Sequence, residues 1–88
     1  MDDVTSNVKG VMIDLLEAFD DRKFYYEISS LRDFAYIYTL DIEITVEEIN
    51  TVNKIVNANG MCVNYILFNT NHCGDTQINF VVTLNNNL

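Results

Sequence analysis

Apolar side chains fall at Val4, Val8, Val11, Met12, Leu15, Leu16 and Phe19, in steps of 4, 3, 1, 3, 1 and 3 residues. That is the period of an amphipathic helix with one buried stripe, and it predicts a helix from about Asp3 to Asp21. Asp2 and Asp3 suit its positive N-terminal end, while Gly10 costs it about 1 kcal/mol relative to alanine. The pattern then changes. Lys23 to Ile28 is aromatic and β-prone, so residues 24–28 read as a short strand and residues 29–33 as a connection. From Phe34 a period of two sets in, with Phe34, Tyr36, Tyr38, Leu40, Ile42 and Ile44 alternating with Ala35, Ile37, Thr39, Asp41 and Glu43. This predicts a second strand over 34–43, paired with the first as a hairpin, with Tyr36 and Tyr38 facing the core.

Thr45 and Glu48 have the spacing of a capping box, in which each side chain accepts a hydrogen bond from the other's backbone N–H. Ile44 and Ile49 occupy the two hydrophobic-staple positions around that box. Ile49, Val52, Ile55 and Val56 then form the stripe of a second helix, and Gly60 stands where a positive φ ends it. The last third reads as another hairpin. Pairing Asn69 with Thr76 sets Leu67 opposite Ile78, Tyr65 opposite Phe80, Val63 opposite Val82 and Met61 opposite Leu84, all on one face. Residues 85–88 read as a polar tail.

The order α-β-β-α-β-β predicts a single α+β domain over residues 1–88, a four-stranded antiparallel sheet with two helices packed on one face. The other face is then left partly open, with Ile37, Ile66, Phe68 and Val81 among polar neighbours. Apolar residues grouped on an open sheet face mark a contact surface.

Charge changes the picture more than size does. Thirteen acids against five bases give the 88 residues a net charge of −8. That argues against direct binding to nucleic acid or anionic membrane, both of which call for a basic footprint. It fits a protein partner with a basic surface. No apolar run nears the ~18 residues of a membrane span, and the first residues lack the pattern of a signal peptide. With only two cysteines, the expectation is a cytoplasmic protein with reduced thiols.

Candidate chemistry is sparse. Cys62, His72 and Cys73 are the only thiols and imidazole, and the hairpin register separates Cys62 from Cys73 by more than ~20 Å. Neither a zinc site nor an intramolecular disulfide is expected from them. No G-x-S-x-G or phosphate-binding glycine loop occurs, so no enzyme activity and no cofactor is expected. The carboxylates are the informative set. Asp14, Glu17 and Asp21 follow i, i+3, i+7 along the first helix, with Asp20 beside them, and Asp41, Glu43, Glu47 and Glu48 add charge further on. Such spaced carboxylates can imitate a phosphate track. Tyr25 points away from Phe24 and Tyr26 and is an amphipathic anchor for a contact surface.

In size and composition the chain resembles small proteins of phages and other mobile elements: short, acidic, rich in asparagine and free of proline. Many such proteins bind and inhibit a host enzyme, including restriction and CRISPR effectors. The resemblance implies a non-catalytic inhibitor or regulator working inside an infected host. Its acidic, nucleic-acid-mimicking surface is Asp14, Glu17, Asp20 and Asp21, with Tyr25 as anchor. The alternative expectation is a small homo-oligomeric structural or adaptor subunit that assembles through an open sheet face bearing Ile66 and Phe68.

Overall fold

The computed structural model describes residues 3–41, 43–70 and 73–85. It has the expected order: α1 (Thr5–Ala18), β1 (Tyr25–Ile28), β2 (Phe34–Thr39), α2 (Val46–Ala58), β3 (Met61–Thr70) and β4 (Thr76–Leu84). The strands form one antiparallel sheet in the spatial order β1-β2-β4-β3. Both helices pack against one face of it, α1 touching β1 and α2 touching β3. The protein is an α+β fold, and no helix among the described residues is long and apolar enough to cross a membrane.

α2 follows its local signals most closely. Thr45 Oγ1 accepts from the Glu48 N–H at 3.1 Å, and Glu48 Oε1 accepts from the Thr45 N–H at 2.8 Å. Ile44 and Ile49 both pack on the core, as the staple requires. Gly60 takes φ +77° just past the helix end. α1 ends three residues earlier than its pattern predicts, at Ala18. Asp20 and Asp21 would put negative charge at the negative end of the helix, and Phe19 becomes extended, its ring meeting Phe24 at 5.2 Å.

Val4 at the N-cap of α1 and Val8, Val11 and Leu15 within it, with Val52 and Val56 from α2, fill the core against Ala35, Ile37, Met61, Ile78, Phe80 and Val82 of the sheet. This corrects the facing of β2. Ala35, Ile37 and Thr39 lie under the helices, and Tyr36 and Tyr38 lie on the bare face. The helices press close to the sheet, where small and β-branched side chains fit, while tyrosine hydroxyls reach water from the other side. β2 also stops at Thr39 rather than running on to residue 43; Leu40 is exposed, and Ile42 lies outside the described residues.

The terminal hairpin holds a second correction. Met61 pairs with Leu84 and Val63 with Val82 as expected, but a β-bulge between Val63 and Tyr65 shifts the rest of β3 by one residue. Such an extra residue moves every later side chain to the opposite face. Ile66 therefore pairs with Phe80 and Phe68 with Ile78 on the helix side, while Tyr65 and Leu67 emerge on the bare face. Ile66 is partly buried against the core; Phe68, near the end of the strand, stays exposed on that same side. Ile66 and Phe68 are thus not on the open face, and neither is Ile37, which is fully buried. Val81 is on it, as expected, yet is itself buried, between Tyr36 and Tyr65 in the register.

Asn59 locks the two helices together. Its carbonyl accepts from Asn7 Nδ2 at 2.7 Å, and its own Nδ2 donates to Asp14 Oδ2 at 3.0 Å and to the Ile55 carbonyl at 2.9 Å. Gly10 stands between Asn7 and Asp14 on the same stripe of α1. A Cβ there would run into Asn59 Oδ1, so glycine is what lets the helices approach.

Candidate functional site

Leu16 would be core if α1 buried one broad stripe. Instead it is 76% exposed and Ile13 is 61% exposed. Only Val4, Val8, Val11 and Leu15 are needed to seal α1 onto the sheet, so the neighbouring stripe is left outside. There it lines a groove of about 580 Å³ with Met12, Phe19 and Phe24, closed at its polar end by Asp20, Asp21, Arg22 and Lys23. The Phe19–Phe24 ring contact forms part of its wall.

Arg22 decides the charge of that end. Its guanidinium is buried and turned inward. Nη1 donates to the Asp41 carbonyl at 2.9 Å and Nη2 to the Glu43 carbonyl, and Nη2 stands 3.3 Å from Glu48 Oε2. One arginine thus fastens the α1–β1 loop to the β2–α2 connection, which brings Asp41, Glu43 and Glu48 to the same end of the fold as Asp20 and Asp21. The Glu48 carboxyl is held below the usual carboxylate range, first by the Thr45 backbone N–H and then by the positive charge of Arg22. Asp20, Asp21, Asp41 and Glu43 are exposed there, and Lys23 is the neighbouring exposed base.

The expected site residues separate accordingly. Glu17, Asp20 and Asp21 are exposed at or near the groove, but Asp20 and Asp21 follow the helix end, so the i, i+3, i+7 stripe stops at Glu17. Asp14 is half-buried and bonded to Asn59. Tyr25 lies on the bare face of the sheet, 40% exposed and stacked on Tyr38 at 5.5 Å. Sequence reasoning missed Ile13, Phe24, Tyr65 and Leu67 and counted Leu16 as core. The i, i+3 spacing of Ile13 and Leu16, off the main stripe, was the available signal for the groove.

The bare face is built differently. Its outward positions are Tyr25 and Glu27 on β1, Phe34, Tyr36 and Tyr38 on β2, and Gln77, Asn79, Val81 and Thr83 on β4. β3 adds Cys62, Tyr65, Leu67 and Asn69. Phe34 and Tyr36 meet edge to face at 5.5 Å. Cys62 lies 3.6 Å from Thr83 Oγ1, while Cys73 is exposed in the turn past the far end of β3. His72 lies outside the described residues. Among the described residues no group of three or more His, Cys, Asp and Glu is arranged to hold a metal ion.

Comparison of the chain with protein-family models, with curated proteins and with solved structures finds no match in any of the three.

Proposed function

We propose that the chain is a non-catalytic protein-binding inhibitor or regulator that docks a basic partner at the C-terminal end of α1. The observation that carries this reading is the groove, in which Leu16 and Ile13 stand exposed beside Phe19 and Phe24, next to Asp20 and Asp21. Apolar surface of this kind, rimmed by charge, is what a partner side chain covers. The carboxylates select a partner whose rim is lysine and arginine, and they speed its approach.

The groove favours a foreign partner over a second copy. Two copies meeting here would bring Glu17, Asp20 and Asp21 against the same carboxylates. A nucleic-acid-handling enzyme is the narrower form of the proposal. Asp20, Asp21, Asp41 and Glu43 come from separate segments to one end of the fold, and a phosphate-binding surface can meet them as it meets a backbone.

The test is capture from a host lysate by the immobilised chain, with two variants run in parallel. Leu16→Asp and the pair Asp20→Lys, Asp21→Lys alter exposed positions and keep the fold, which circular dichroism checks. A basic partner retained at low salt, released at high salt and lost at least tenfold by both variants supports the reading. Equal retention by wild type and variants contradicts it.

A further inference from the structure

We infer that the bare sheet face is a self-association surface, whose occupant is a second copy of this chain packed face to face. The first reason is charge. The chain carries −8, yet Glu27 is the one charged residue among the face's outward strand positions, with Asp33 at its rim. Two copies can meet here without confronting their carboxylates, as they cannot at the acidic end. The composition, tyrosine and amide with little charge, is that of an interface centre.

The second reason is that the polar groups of this face complement themselves. Amides and hydroxyls both donate and accept, so a copy of the face supplies what the face itself lacks. The partly buried Tyr36, Tyr38 and Gln77 and the exposed Tyr25, Tyr65 and Asn69 carry these groups on the bare face.

The strand order selects the two-fold axis. An axis parallel to the strands lays β1 of one copy over β3 of the other. Glu27 then faces Tyr65 and Leu67, which carry no charge. An in-plane axis across the strands stacks Glu27 on Glu27 and is disfavoured. Four strands ~4.8 Å apart and averaging about 25 Å in length offer about 500 Å² per copy. A standard stable interface takes about 800 Å² per partner, so the pair is weak and dissociates on dilution. Because apolar contact opposes the repulsion of two acidic bodies, salt tightens it.

Sedimentation equilibrium from low micromolar to several hundred micromolar, at low and high salt, tests this. The expected result is a monomer–dimer equilibrium whose dimer fraction rises with concentration and with salt. Leu67→Asp and Tyr65→Asp should weaken it at least tenfold, and Phe68→Asp, on the helix side of the same strand, should leave it unchanged. Leu67→Asn repeats the test without a new charge should an aspartate variant lose its circular dichroism spectrum. A monomer throughout the range overturns the inference, as does a dimer indifferent to Leu67 and Tyr65 or one that salt dissociates. The sign of the salt effect also separates this contact from the acidic groove, whose partner salt releases.

Discussion

Gly10 and Asn59 show how little of a side chain's role is visible from its own neighbourhood. In a solvated helix, alanine at position 10 would stabilise by about 1 kcal/mol. Here its Cβ meets Asn59 Oδ1, and that amide is held by bonds to Asp14 and Ile55, so it cannot swing away without breaking them. Gly10→Ala is therefore expected to destabilise the chain by about 1 kcal/mol, the loss of one or two partly buried hydrogen bonds and the crowding at Asn59 outweighing the propensity gain. Urea unfolding measures this. In an Asn59→Ala background the same substitution should become neutral or stabilising, since the obstruction is gone. The same contact gives Asp14 a structural duty, which sets it apart from Glu17, Asp20 and Asp21.

At the scale of elements, the legible parts are those whose signals are local. α2 could be read from Thr45, Glu48, Ile44, Ile49 and Gly60 because caps and staples act within a few residues. The box also implies a pH dependence. The Glu48 carboxyl is depressed by the Thr45 N–H and Arg22, and the Asp3 carboxyl by its hydrogen bonds to Thr5 at the start of α1. A depressed carboxylate stabilises above its unfolded pKa and loses that contribution as pH falls through the lower folded value. Stability should accordingly decline as pH drops below about 4. Glu48→Gln, which keeps an acceptor for the box, should flatten that decline in urea midpoints followed against pH. The strands were less legible. In β2 both alternating sets are apolar or aromatic, so periodicity fixes the strand and leaves its facing open. In β3 the bulge near Asn64 obeys no local signal, yet it decides that Leu67 and not Phe68 looks outward. The groove escaped notice because Leu16 adjoins the core stripe in sequence; its exposure follows from how little of α1 the sheet needs.

The whole molecule has two unlike surfaces on one scaffold. The acidic end, gathered around the inward-turned Arg22, borders an apolar groove. The bare sheet face is aromatic and amide-rich with almost no charge. Opposite salt dependences follow for contacts at the two, and a regulator that pairs through its sheet would present two acidic grooves to its target, raising its effective affinity without new contacts. Composition foretold an acidic surface but not where it gathers, because charge is summed along the sequence while the fold decides which carboxylates are already occupied. The most direct test of the central claim is an NMR titration of the chain, with backbone amides assigned, using a basic amphipathic helical peptide as probe. Saturable shifts centred on Leu16, Phe19, Asp20 and Phe24, abolished by Leu16→Asp, are the predicted result. Shifts centred instead on Tyr65 and Leu67, or none at millimolar peptide, would contradict it.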